Sequence, residues 1–309
     1  MNKLELKNAI DKIKPDNNME YRLAENLKNH QTKRGSFKRV AAVAACMLVV
    51  ASAGLVTLNI TGNKLGENNE ISQNSGIHIP KVALQENTQT TAKMMGLIVY
   101  EGRVYLQSAL QLEPDVVEGL LGDKIGKTKS NITEWSEQDD YSVELASTVG
   151  IQDVYTVKGY DKSFRIMTYE KIDDKAYAQF YECLNDITVI TGADIFGKLK
   201  IEGNIENAEY ELYDSWNNGL NELKQVPDMK GLDEFIAALN KSVPYEQDSL
   251  DSLWEDQSAD CQKFINITMK DGTNVQLRVF KEGYVYYNNV NLLFKIDNTV
   301  FTNFWDVLV

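Results

Sequence analysis

Carboxylates are the side chains most available for chemistry in this 309-residue chain, and they cluster: Glu137, Asp139 and Asp140; Asp173 and Asp174; Asp248, Asp251, Glu255 and Asp256. A hydrolase would need two such acids across a cleft, with their pKa values pushed apart. Spacing of this kind ordinarily marks solvated faces, and none of the clusters follows the D-x-[DN]-x-[DN]-G calcium loop. Only two histidines occur, His30 and His78, and the chain has no G-x-S-x-G, P-loop, H-E-x-x-H or C-x-x-C. That scarcity disfavours imidazole-based acid–base chemistry and metal catalysis. No catalytic, cofactor or metal residue is therefore assigned, and the chain reads as a non-enzyme. Trp135, Trp216 and Trp254 each lie beside polar or acidic residues. They would line a sugar or peptide groove, or serve as half-buried wedges at helix starts. Cys183 and Cys261 are too few for a disulfide framework, which leaves their pairing open.

The elements that must position these residues read as strand, turn and strand with intervening helices. Gly96 to Tyr100 and Arg103 to Gln107 flank Glu101-Gly102, a tight hairpin signal, and a helix is predicted around Asp115 to Leu121,. Val154 to Lys158 and Phe164 to Thr168 flank a polar turn. Ile265, Ile267 and Met269, then Val275, Leu277 and Val279, alternate with polar residues across Asp271-Gly272,. Tyr284 to Tyr287 and Leu292 to Ile296 continue as strands. Asp297 is placed to cap a terminal helix with a stripe of Val300, Phe301, Phe304, Trp305 and Leu308,. The predicted fold class is α+β, built of β-hairpins with packed helices. Thr156-Val157-Lys158 with Phe164-Arg165-Ile166-Met167 echoes Thr268-Met269-Lys270 with Leu277-Arg278-Val279-Phe280. Duplication of a hairpin unit and chance similarity both account for the echo. A division into subdomains 92–227 and 228–309 is expected.

Charge and hydropathy then place the chain. Residues 1–39 carry ten Lys and Arg against five Asp and Glu, a net +5, while the other 270 carry 22 against 40, a net −18. Between these regions Val40 to Ile60 runs 21 residues without a charge. As a helix that is roughly 30 Å, the thickness of a bilayer's hydrocarbon core. Lys33, Arg34, Lys38 and Arg39 precede the run and only Lys64 follows closely, so the N-terminus is expected in the cytoplasm and the C-terminal part outside the cell membrane,. Ala51-Ser52-Ala53 has the form of a signal-peptidase site. The apolar run continues beyond it, however, and the single-pass reading is preferred over cleavage at Ala53. Cys46 follows too short an apolar stretch to be a lipidated cysteine. Residues 61–91 form a polar linker, interrupted at His78-Ile79-Pro80-Lys81-Val82-Ala83-Leu84 by a candidate docked strand,. An acidic exterior excludes nucleic acid as a partner, since phosphate binding needs clustered Lys and Arg. Its own ligand stays unidentified.

In the tail, Leu6, Ala9, Ile10 and Ile13 recur at helical spacing, Pro15 breaks the pattern, and Met19, Leu23, Ala24 and Leu27 resume it,. Two short amphipathic helices would either lie on anionic lipid or fold into a partner's groove. In the second case Leu6, Ile10, Ile13, Met19, Leu23 and Leu27 are the candidate contacts. This layout resembles that of the membrane-anchored anti-sigma-factor-like proteins of Firmicutes. The shared features are a basic two-helix tail, the Lys38-Arg39-Val40-Ala41-Ala42-Val43-Ala44-Ala45-Cys46 approach to one span, a polar linker and an acidic α+β exterior. The resemblance implies a cytoplasmic segment that holds a sigma factor and an exterior that receives an envelope signal. The tail departs from the zinc-binding anti-sigma pattern, because it has His30 and no cysteine,. The alternative is a membrane-tethered binding module for an envelope ligand, without signalling.

Overall fold

The computed structural model describes residues 76–82 and 96–309, apart from 113, 134–135, 173–174, 256–257, 259 and 288–289. The tail contacts Leu6 to Leu27, the span, Trp135, Asp173, Asp174 and Asp256 lie outside the described residues. Among the described residues no helix is long and apolar enough to cross a membrane.

The strands are, in chain order, β1 (Ile77–Ile79), β2 (Leu97–Tyr100), β3 (Arg103–Gln111), β4 (Leu121–Lys127), β5 (Asp153–Val157), β6 (Arg165–Ile172), β7 (Lys175–Glu182), β8 (Ile187–Val189), β9 (Ile205–Leu212), β10 (Lys224–Gln225), β11 (Val243–Glu246), β12 (Gln262–Met269), β13 (Asn274–Phe280), β14 (Tyr284–Tyr287) and β15 (Leu292–Lys295). They form a six-stranded sheet ordered β2-β3-β7-β6-β5-β4, a seven-stranded sheet ordered β10-β9-β12-β13-β14-β15-β11, and the pair β1-β8, with antiparallel pairing throughout. The fold is thus α+β.

Local chemistry sets several of these elements. Glu101 and Gly102 both adopt positive φ, 48° and 70°, the backbone twist that lets a two-residue turn join β2 to β3,. Asp297 accepts hydrogen bonds from the amides of Thr299 (2.9 Å) and Val300 (3.3 Å), capping the helix Asn298–Trp305 as predicted,. The helix Met229–Asn240 begins where the Asp228 carboxylate accepts from Gly231 N, and it buries Leu232, Phe235, Ile236 and Leu239 on one stripe,. Burying each of those side chains contributes roughly 1.5 to 3 kcal/mol. With Phe301, Phe304 and Trp305 they cover the inner face of the seven-stranded sheet, which presents Ile265, Ile267, Leu277, Val279 and Val285.

Sheet order and register bear on three features read from the sequence. The sheets divide before Ile205, so the boundary expected at 227/228 cuts through one sheet: β9 and β10 precede it, and β11 to β15 follow. Burial of Ala208 and Tyr210 against the second core ties β9 to that side. The hairpin echo is not a strand-for-strand repeat either. Thr156 faces Ile166, one residue past Arg165, whereas Thr268 faces Asn274, four residues before Arg278. The docked strand expected within residues 61–91 is present as β1, at 77–79 rather than across 78–84. Ile77, His78 and Ile79 pair with Val189, Thr188 and Ile187, and both isoleucines pack on the main core.

A buried charge cluster joins the two sheets. Arg165 on β6, fully buried, donates from Nε (3.0 Å) and Nη2 (2.5 Å) to Oε1 of Glu182 on the neighbouring β7. Tyr287 reaches across from β14 and donates its hydroxyl to Oε2 of the same carboxylate at 2.8 Å. Tyr160 and Phe180 lie against the guanidinium at 4.3 and 4.7 Å,. Every member of the cluster except Arg165 Nη1 has a partner among the described atoms. Desolvation disfavours the Arg165 cation, but the opposed carboxylate outweighs it and holds the Arg165 pKa above its usual value,.

Candidate functional site

Strand alternation sends the other half of β12, β13 and β14 to the outer face of the seven-stranded sheet. Glu211, Phe264, Arg278, Tyr286 and Leu293 are successive cross-strand neighbours from β9 to β15 and form one rung of that face,. Two short helices close over it. The helix Tyr213–Asn218 starts where β9 ends and lays Trp216 on Phe264, with ring centroids 4.1 Å apart and planes at 15°. The helix Ser252–Glu255 sets Trp254 edge-to-face against Phe280 at 5.0 Å and Tyr286 at 5.2 Å,.

The Arg278 guanidinium sits between the two indoles, 4.6 Å from the Trp254 ring centre and 5.6 Å from that of Trp216. Phe264 and Phe280 complete the box at 5.4 Å each. Rings placed face-on to a guanidinium stabilise it by about 0.5 to 2 kcal/mol each as desolvation increases. Arg278 donates Nε (2.9 Å) and Nη2 to Oε1 of Gln262, a fully buried amide whose own Nε2 donates to the Leu253 carbonyl at 3.1 Å. That second bond fixes which end of the amide faces the arginine. Burial lowers the Arg278 pKa from its usual value, with partial offset from the Tyr213 and Tyr286 hydroxyls. At neutral pH the side chain remains a cation.

The hydrogen-bond pattern at Arg278 matches that at Arg165, with Nε and Nη2 converging on one oxygen, but the acceptor is a neutral amide rather than a carboxylate. Among the described residues, no carboxylate lies within ion-pair distance of Arg278. Its Nη1 has no hydrogen-bond partner among the described atoms and is not fully buried. The half-buried guanidinium therefore keeps its full charge and one free edge, beside two half-buried indoles.

The other residues singled out in sequence do not converge. Glu137 and Asp140 form a capping box at the start of the 3-10 turn Gln138–Ser142, with the Glu137 amide donating to Asp140 Oδ2 at 2.8 Å,. Asp248, Asp251 and Glu255 are exposed along 248–255. Among the described residues no group of three His, Cys, Asp or Glu side chains is placed to hold a metal ion. A cavity of about 530 Å³ opens beside β11, lined by Glu234, Lys241, Ser242, Lys295 and Asp297 among others. Its acids are Glu234, on a solvent face, and Asp297, whose Oδ1 caps the last helix. Cys183, which is buried, and Cys261 are not joined by a disulfide. His78 is exposed, with Nδ1 3.4 Å from Thr188 Oγ1, and acts as an ordinary surface residue of β1.

Trp216 and Trp254 are thus brought to one site, around an arginine that sequence reasoning had placed only in the hairpin echo. Its signal was a cation at an outward position between buried Leu277 and Val279, which alternation alone reveals,. Gln262, Tyr213 and Phe264 carry no sequence signal of their own. Comparison with known proteins finds no matching family, no similar curated protein and no similar solved structure.

Proposed function

We propose that the protein is a single-pass membrane regulator of the anti-sigma-factor-like type, non-catalytic, whose exterior α+β domain reports an envelope condition to a cytoplasmic partner. The observation that supports this reading best is strand β1. Only the 16 residues 61–76 separate the end of the apolar run from a strand paired to β8 and packed on the main core. Whatever their conformation, these residues reach at most about 55 Å. The chain leaving the apolar run is thereby joined to a strand of the exterior core before the first hairpin begins. The +5 tail with its two apolar stripes supplies the cytoplasmic end.

A second reading, a membrane-tethered binding module without signalling, draws support from the aromatic–arginine face, which needs no tail. One experiment separates them. The full chain should retain a sigma factor when purified from its native membrane, and exchange of residues 1–39 for an unrelated basic sequence should release it. Loss of no partner on exchange, or no sigma factor retained by the intact chain under conditions where a known pair is retained, refutes the regulator.

A further inference from the structure

The two arginines on neighbouring sheets differ in one respect that bears on ligands. Arg165 meets a carboxylate, lies wholly inside, and has no charge to offer. Arg278 is held in the same two-pronged way by Gln262, which orients the guanidinium without neutralising it. An amide there keeps the fork rigid while leaving the charge to be satisfied from outside, and Nη1, which is not fully buried and has no partner among the described atoms, is where an outside group would meet it,. The flanking indoles, each partly exposed, lie 5.6 and 4.6 Å from the guanidinium. We propose that Arg278, walled by Trp216 and Trp254, is the binding residue of a carboxylate subsite, taking a small ligand whose acid group pairs with the guanidinium and whose body lies on an indole.

The assignment goes beyond the coupling reading and stands whether or not the tail binds a sigma factor. A net charge of −18 over the region that contains the site sharpens it. Acidic surface repels anions at long range, so a carboxylate would bind only where a cation is presented at contact distance with its neighbours kept neutral. Among the described residues, the contacts of Arg278 are one amide and a set of rings.

Two ligand sources share this chemistry, a peptide's terminal carboxylate and an acidic sugar, and paired probes distinguish them. The full chain in detergent is titrated with N-acetylalanine against N-acetylalanine amide, and with glucuronate against glucose, following the indole and Arg Nε–H resonances. Saturable shifts at Arg278, Trp216 and Trp254 are expected with at least one acid and not with its neutral analogue; the responding pair identifies the source. Arg278→Gln should weaken that binding by about tenfold to a hundredfold. Gln262→Glu should do the same while leaving the arginine in place, because it supplies internally the carboxylate that Glu182 gives Arg165. Thermal midpoints of both variants report whether they fold, and the acid-versus-neutral contrast in the unaltered chain needs no variant. Equal responses to acid and neutral probes, no response to either acid, or undiminished binding in folded Gln262→Glu overturns the proposal.

Discussion

Replacement of Glu182 by Gln tests the buried joint most directly, because it changes charge and little else. The amide is isosteric, and its oxygen can still accept from Nε and Nη2 of Arg165. Its NH2 can donate to the Tyr287 hydroxyl, which now gives Oε2 its proton at 2.8 Å,. Hydrogen bonds are thus nearly conserved. What is lost is the counter-charge of a guanidinium whose side chain has no solvent exposure, beside a carboxylate that is itself only 8% exposed. Removing one partner of such a pair costs about 3 to 5 kcal/mol, because an uncompensated charge is left inside. Against a total stability of about 5 to 15 kcal/mol, and with a urea slope of about 3 kcal/mol per M, the unfolding midpoint should fall by about 1 to 2 M. Urea denaturation of the full chain in detergent, followed by tryptophan fluorescence, measures it. The combined change Arg165→Met, Glu182→Leu and Tyr287→Phe, which removes every polar member at once, should be far milder than Glu182→Gln alone. A cost for Glu182→Gln below about 1 kcal/mol would show that charge is not what Glu182 contributes, and the contrast drawn between Arg165 and Arg278 would fall with it.

Two further outcomes follow from other parts of the fold. A Cβ on Gly76 would stand 2.6 Å from the Val189 carbonyl oxygen, so Gly76→Ala should displace β1 at a local cost of about 1 to 3 kcal/mol,; amide exchange at 187–189 should rise about tenfold or more while β12 and β13 are unchanged, and unaltered exchange at 187–189 would show that β1 does not protect β8. Burial pushes the Tyr181 hydroxyl up to about 12. Between pH 10 and 12 the unfolded chain has therefore released a proton that the folded chain keeps, and stability falls as pH rises, by about 1.4 kcal/mol per pH unit from this group. Tyr181→Phe should make that part of the pH–stability curve shallower by this amount, the other buried tyrosines supplying the rest, and an unchanged slope would rule out Tyr181 as a source.

Local signals made the hairpins and caps readable. Alternation around Asp271-Gly272 marks β12 and β13, Glu101-Gly102 marks the β2–β3 turn, and Asp297 ahead of an apolar stripe marks the last helix. Each depends on residues within a few positions of one another. The partition between sheets is different in kind. β9 pairs with β12 across 49 intervening residues, and nothing within Ile205–Leu212 says which sheet will take it,. Helix 229–240 has clear periodicity at Leu232, Phe235, Ile236 and Leu239, yet it sits where Pro227 and Gly231 also suggest a boundary. The site was legible only as separate tryptophans. Trp216, Trp254 and Arg278 become neighbours through a sheet order that sequence spacing does not encode, and Trp254 arrives on a four-residue helix too short for any periodic signal.

The same long-range pairing explains why two similar-looking arginines have different fates. In the linear chain each is a cation inside an apolar run, Phe164-Arg165-Ile166 and Leu277-Arg278-Val279, and nothing adjacent distinguishes them. Their environments are decided by the strand laid beside each. β7 brings Glu182 opposite Arg165, and the Tyr287 hydroxyl closes over that carboxylate from the other sheet, so the charge is cancelled and buried as part of the joint. At Arg278 the directly opposed residues are Phe264 and Tyr286, and the diagonal neighbour Gln262 offers only an amide. A buried cation without a counter-ion costs several kcal/mol, whereas a half-exposed one keeps part of its hydration and is stabilised by the surrounding rings. Full burial therefore requires Glu182 at the first site, and partial exposure permits Gln262 at the second. The exposure that makes Gln262 tolerable is also what leaves the guanidinium within reach of a ligand.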